Sequence, residues 1–251
     1  MKKIISIVVV ALMLASMLCV FASAEKDGGT VYVTISDGKD VVVISEAVSL
    51  SSLSSGDIGG ALKAVHEKHG KTFATVDSDY GPMITSLWSV ENGGAYGYYL
   101  NDASAWSLAD ALKDGDRLYA FVYSDATYYS DSYSYFDKAE ISGKKGDEVT
   151  LTLSHLGYDE SWNTVTLPLA GATLTLDGAS LDVKTDENGK ATVKLTKSGV
   201  LSAKADGLTL VPPVCVVTAK ASFPVWAVVV IAAVALCACA CVCVVVIKKK
   251  K

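Results

Sequence analysis

Val225 to Ile247 is a run of 23 residues without a charge, and four lysines, Lys248 to Lys251, follow it directly. As an α-helix it would be roughly 34 Å long, enough to cross a hydrocarbon core of about 30 Å with some tilt. Pro224 starts the run, Trp226 takes the outer-interface position, and the lysines fix the far end in the cytoplasm by the positive-inside rule. A buried core helix is the soluble alternative, and the length and the lysine stop argue against it. The block therefore predicts one transmembrane helix over 224–247, a cytoplasmic tail at 248–251 and contact with membrane lipid, with the bulk of the chain outside the cell.

The opposite end agrees. Lys2 and Lys3 precede an apolar run from Ile4, and Phe21-Ala22-Ser23-Ala24 supplies a small-x-small cleavage pattern. This predicts a secretory signal peptide over 1–24. Cys19 suggests a lipoprotein signal, but Leu18 before it is too bulky for a typical lipobox. The tail also has the outline of a sortase sorting signal, yet Leu210-Val211-Pro212-Pro213-Val214 is no LPxTG pentapeptide and Leu167-Pro168-Leu169-Ala170-Gly171 lies too far upstream. Membrane retention is the expectation.

All 27 acidic residues but only 16 of the 22 basic ones lie in the intervening 25–222, which leaves that stretch at −11. Phosphate contacts need a basic surface, so nucleic acid is excluded as a partner. Cys215 is the only cysteine there, so no disulfide can form within one copy, which suits a bacterial surface better than an animal one. Cys237, Cys239, Cys241 and Cys243 alternate in the apolar block and do not share one helix face.

Two patterns divide the ectodomain. Residues 25–125 mix strand and helix signals. Thr30 to Ile35 and Val41 to Ile44 read as strands joined through Asp37-Gly38. Asp57 can cap a helix over 57–69, in which Ile58, Ala61, Leu62 and Val65 recur at helical spacing and Gly70 supplies the stop. Further strands are expected near Ile84 to Val90, Tyr96 to Leu100 and Leu118 to Tyr123. Residues 126–139, rich in Tyr, Ser and Asp, read as a linker whose rings either pack a seam or form an exposed adhesive surface. Residues 140–219 carry six short alternating runs at 149–153, 172–176, 180–184, 191–195, 200–205 and 214–218. Turn signals at Asp177-Gly178, Asp186 to Lys190 and Asp206-Gly207 separate them. That spacing predicts an all-β sandwich.

The ordered set Ile58-Gly59-Gly60-Ala61-Leu62-Lys63-Ala64, Ile84-Thr85-Ser86-Leu87, Gly97-Tyr98-Tyr99-Leu100-Asn101 and Leu112-Lys113-Asp114-Gly115-Asp116 resembles the transcobalamin-like C-terminal domain family of bacterial surface proteins. Where that family commonly has a Trp before its Tyr-Tyr-x-Asn, this chain has Tyr96-Gly97. The resemblance implies a small α+β domain that in animal relatives closes over a cobalamin, so a bound corrinoid is one candidate ligand. Thr185 to Thr192 and Gly199 to Ala203 resemble a bacterial Ig-like or prealbumin-like module, which implies a spacer. The expected fold is thus an α+β domain with one helix packed on a small sheet, an Ig-like β-sandwich, and one transmembrane helix.

Chemistry-bearing motifs are weak. His66 and His69 stand at i and i+3 without a third zinc ligand and read as a solvated helix end. His155 stands alone. No serine sits in a nucleophile elbow, and the Asp pairs complete no calcium loop. No enzyme activity, cofactor or metal is expected. The aromatic set is the better lead: Trp88, Tyr96, Tyr98, Tyr99, Asn101 and Trp106 are the candidate ligand-binding residues. On a strand Tyr96 and Tyr98 share one face and Tyr99 takes the other. One face must line the core; the other could meet a flat ligand or a sugar. The expected function is a non-enzymatic cell-surface binding protein for a small molecule or glycan, passing its ligand to a membrane transporter. The alternative is an adhesin or structural surface protein that binds host or neighbouring-cell proteins or glycans.

Overall fold

The computed structural model describes residues 28–79, 81–161 and 163–221. The expected signal peptide, transmembrane helix, lysine tail and membrane cysteines lie outside them. Among the described residues no helix is long and apolar enough to cross a membrane. The fold is mostly β, with a single α-helix and one short 3-10 turn at Leu50–Ser52 among the described residues. Two compact units are present: residues up to Asp37 with Val42–Val122, and Gly38–Val41 with Tyr123 onward.

In the first unit, β1 (Thr30–Ser36) lies beside β2 (Val41–Ser49) on one side and parallel to β7 (Arg117–Val122) on the other. β5 (Tyr96–Leu100) runs antiparallel to β7, and the short β6 (Ala103–Ser104) closes the edge. A separate antiparallel pair is formed by β3 (Ala74–Ser78) and β4 (Gly81–Ser86). The helix α1 (Ile58–His69) forms where the apolar spacing predicts. Asp57 caps it, accepting the Gly60 N–H at 2.8 Å, and Gly70 ends it in the left-handed region at φ 62°. Its buried Ile58, Ala61, Leu62 and Val65 pack with Val31, Val33 and Ile35 of β1 and Leu118, Ala120 and Val122 of β7. Alternation along those two strands places every second side chain on the helix side.

The second unit is a pair of packed sheets. One has the order β11-β10-β8-β16, with β14 also paired to β10; the other is β13-β12-β15-β17-β9. The strands are β8 (Ser132–Phe136), β9 (Glu140–Lys144), β10 (Glu148–Tyr158), β11 (Thr164–Pro168), β12 (Thr173–Leu176), β13 (Ala179–Lys184), β14 (Lys190–Lys194), β15 (Gly199–Lys204), β16 (Leu210–Val211) and β17 (Cys215–Lys220). Phe136, Leu151, Leu153 and Val193 from the first sheet meet Leu174, Leu201, Cys215 and Val217 from the second in one core, which makes the unit sandwich-like. The three expected turns are where they were read: Asp177 and Gly178 adopt positive φ, Asp186 Oδ1 accepts the N–H groups of Asn188 and Lys190, and Ala205 pairs with Leu208 across Asp206-Gly207.

The structure corrects the linker at 126–139. Its second half is β8, inside a sheet, with Tyr133 and Phe136 buried. Alternating Tyr and Ser over 132–136 is a strand signal, obscured by the Asp and Ser residues around it. The strand read over Ile84 to Val90 also stops early. Trp88 and Ser89 both take positive φ, and Leu87 and Val90 exchange backbone hydrogen bonds across them as a tight turn.

Candidate functional site

The six candidate residues do not converge on one surface. Tyr96 and Tyr98 lie on the helix side of β5, opposite Val122 and Ala120, packed against the core. The Tyr96 hydroxyl accepts the Asn92 N–H at 2.7 Å and donates to the carbonyls of Thr85 and Val90 at 2.8 and 3.0 Å, so it ties the β4–β5 connection together. Burial pushes both phenols above the usual tyrosine range, and the carboxylates of Glu91 and Asp110 add to this at Tyr96 and Tyr98 respectively. Tyr99 faces the other side and stacks on buried Phe121 with ring centroids 5.9 Å apart. Phe121 in turn fills the space over Gly97, where a Cβ would come within 2.3 Å of the ring.

Asn101 is a turn residue. Its φ is 52°, its Nδ2 donates to Asp116 at 2.9 Å, and its Oδ1 accepts the Arg117 N–H at 3.0 Å. The carboxamide read as a ligand contact is thus committed to holding the β5–β6 turn against the start of β7. Trp88 is half-buried, its ring edge-on to His66 at 5.3 Å, tilted against His69 at 5.3 Å and below the Lys71 ammonium at 5.8 Å.

His66 is likewise not at a solvated helix end. It is 1% exposed, with Nε2 accepting the Trp88 N–H at 2.9 Å and Nδ1 against the Leu62 carbonyl at 2.6 Å. Burial holds its pKa below the usual histidine range. His69 does face outward, where it meets Glu46 at 2.6 Å beside Lys68 at 2.9 Å. Partial burial would raise the Glu46 pKa, but the bonds to His69 and Lys68 outweigh it and the net shift is downward.

Trp106 alone of the six is fully presented to solvent, at 95% exposure. Its loop is nevertheless fixed. Asp110 Oδ2 accepts the N–H groups of Trp106 and Ser107 at 2.9 and 3.1 Å. The carbonyls of Leu108 and Asp110 accept from Gly59 and Ile58, and the Leu112 N–H donates to Gly56. The first amides of α1 are therefore spent on this loop and on Asp57, and the helix start offers no anion site.

Beside the loop lies a groove of about 440 Å³ between α1 and the β3–β4 pair, with Ser55, Gly59, Lys63, Phe73, Pro82 and Leu108 among its walls. Its apolar patches, the hydroxyls of Ser54, Ser55 and Thr75, the Asp57 carboxylate and the Lys63 ammonium suit a small ligand of mixed polarity. The residue pattern of the sequence pointed to the aromatic strand and missed this groove, because Phe73, Pro82 and Leu108 are far apart in the chain. The Ile58–Ala64 helix segment, which carries the family resemblance, does contribute Gly59, Gly60 and Lys63 to it.

In the second unit, Ser132 Oγ and His155 Nδ1 lie 3.0 Å apart, and the hydroxyl also contacts the Leu156 carbonyl at 3.1 Å. The imidazole uses Nδ1 here, and the hydroxyl has the competing Leu156 acceptor. The pair closes the β8–β10 edge rather than forming the base-and-orienter chain of a nucleophilic site. Among the described residues no group of three or more His, Cys, Asp or Glu side chains is placed to hold a metal ion.

No protein-family model matches the chain, and no curated protein matches it. Among solved structures, the ectodomain of the teleost fish polymeric Ig receptor is similar at 12% identity over 61% of this chain and 74% of that one, with a TM-score of 0.24, a likeness too slight to carry an argument.

Proposed function

We propose that this chain is a non-enzymatic cell-surface binding protein, anchored by its 224–247 segment, whose first unit takes a small ligand of mixed polarity in the groove between α1 and β3–β4. The observation that carries this reading is Trp106, an almost wholly exposed indole on a backbone pinned by Asp110 beside that groove. The exposed indole offers a flat apolar face on which a planar ligand can stack, and the pinned backbone sets where that face lies. A corrinoid is the candidate that the family resemblance implies. The sandwich unit, read as Ig-like from its turn and strand spacing, serves as a stalk.

Titration of the chain with cobalamins, followed by indole fluorescence and visible absorption, tests this. Saturable quenching that is lost in Trp106→Ala and weakened in Lys63→Ala supports the groove. Absence of saturable binding to any corrinoid removes that ligand, and adherence to mucin or cells in its place favours the adhesin.

A further inference from the structure

The second unit carries a group of exposed tyrosines at one end of its sandwich. Tyr128 is 81% exposed, Tyr158 66% and Tyr129 50%. They belong to neighbouring segments. In β8–β10 the register sets His155 opposite Ser134, so Tyr158 continues toward Asp131. Ser132 reaches Leu156 through its hydroxyl and Thr209 through its N–H at 2.8 Å. The loop 124–131, the end of β10 with the turn after it, and the 206–210 turn therefore meet at one tip.

The loop is held rigid from within. Asp125 accepts the N–H groups of Thr127 and Tyr128 and the Ser130 hydroxyl, while Asp131 accepts the Ser124 hydroxyl. Tyr129 packs edge-on to Tyr123 at 5.3 Å with its backbone at φ 54°. Tyr128 is thus exposed on a framed loop, and Tyr158 is exposed on the last residue of a strand.

The charged residues within these three segments are all acidic. Residues 124–136, 154–169 and 205–210 contain Asp125, Asp131, Asp159, Glu160 and Asp206 and no lysine or arginine. The bonds that Ser130 and the neighbouring amides make to Asp125, and that Asn163 makes to Asp159, hold both carboxyls below the usual range, so both stay ionised. Lys194 pairs with Glu148 at the far end of β10 and Lys190 with Thr152 near its middle, while Lys204, at the end of β15, is the cation that directly precedes the 206–210 turn.

We infer that this tyrosine-bearing tip is a docking surface for a cationic polypeptide segment, arginine-rich in preference to lysine-rich. Exposed phenol faces stack on guanidinium groups, and fixed carboxylates supply the complementary field. A neutral glycan would use the rings and gain nothing from the charge.

The test uses the full chain and labelled nona-arginine, nona-lysine and an uncharged Gly-Ser peptide, read by fluorescence anisotropy at 50 and 300 mM salt. Nona-arginine binds tighter than nona-lysine, and the Gly-Ser peptide does not bind. Tyr128→Ala with Tyr158→Ala weakens nona-arginine by about fivefold or more at constant charge. Tyr128→Phe with Tyr158→Phe keeps the affinity, which shows that the rings act and the fold is intact. Glu160→Gln with Asp206→Asn lowers the salt dependence. Equal binding of the two cationic peptides, or nona-arginine affinity unchanged in the double alanine variant, overturns the proposal, because the attraction is then only the net charge of the chain. Absence of nona-arginine binding at 50 mM salt overturns it as well.

Discussion

The imidazole of His66 accepts the backbone N–H of Trp88 at 2.9 Å across 22 residues of sequence. An amide can only donate, so Nε2 must present its lone pair, and the proton sits on Nδ1, donating to Leu62. The ring is therefore held neutral, with two partners that a protonated ring could not both satisfy. It latches the end of α1 to a turn in which Trp88 and Ser89 occupy the left-handed region, an unusual conformation for an indole-bearing residue.

Stability should follow that latch with pH. The unfolded chain protonates His66 near the ordinary value of 6.5, and the folded chain only at lower pH. Stability is complete above about pH 6.5 and declines as pH falls below it, because the unfolded state then binds more protons. Glu46, with a lowered carboxyl pKa, adds its own loss only at more acid pH, below its ordinary 4.5. Urea midpoints at pH 7.5 and 5.5, followed by indole fluorescence, should differ in the native chain, and His66→Leu should shrink the difference. His66→Ala should cost about 2–4 kcal/mol at pH 7.5 through the cavity and the orphaned Trp88 N–H.

The two adjacent glycines of α1 should respond oppositely to alanine. At Gly60 a Cβ would come within 2.1 Å of the Ser55 carbonyl, a backbone atom that cannot step aside. At Gly59 the nearest atom is at 3.4 Å, an ordinary contact. Gly59→Ala should stabilise by up to about 1 kcal/mol through helix propensity, whereas Gly60→Ala should destabilise in spite of it. Thermal melts of both variants decide this.

Asn101→Ala should cost stability, by about 2 kcal/mol, since it removes the bonds to Asp116 and Arg117 and places a Cβ-bearing residue with no polar side chain at positive φ. Asn101→Gly, which restores the backbone freedom, should recover part of the loss. If a ligand is bound, both variants should change affinity only as far as they change folding. Chemical denaturation beside the ligand titration separates the two.

Trp88 and Trp106 should behave as opposites. Trp106→Ala, at an exposed site, should leave the unfolding free energy within about 0.5 kcal/mol. Trp88→Ala should lose about 3 kcal/mol, because the ring fills the space between His66, His69 and Lys71. Denaturant titrations of the two variants provide the comparison.

The helix and its caps were legible in the sequence because every signal for them is local: Asp57, the 58–61–62–65 spacing and Gly70. So were Tyr96 to Leu100, read at the observed bounds, and the Asp-Gly turns of the sandwich. β3, β11 and β16 were among the strands missed: β3 and β11 are short edge or hairpin strands that bury no side chain, and β16 is only two residues long. The candidate site was legible only as far as the side alternation of β5. Which face of that strand would be covered depends on Phe121 lying over Gly97, a contact between residues 24 apart. The burial of His66 depends on a turn that forms at Trp88, which no helix pattern could reveal.

In both units the ends of the chain run through adjacent parallel strands. β1 lies parallel to β7 over five paired positions, and β9 parallel to β17 over five. A pull that enters at Thr30 and leaves at Val122, or enters at Glu140 and leaves at Lys220, drags such strands lengthwise past each other. All the rungs then resist together, where an antiparallel end pair would peel apart one rung at a time. A fold built this way is suited to carry a lengthwise load between the two ends of each unit without unravelling.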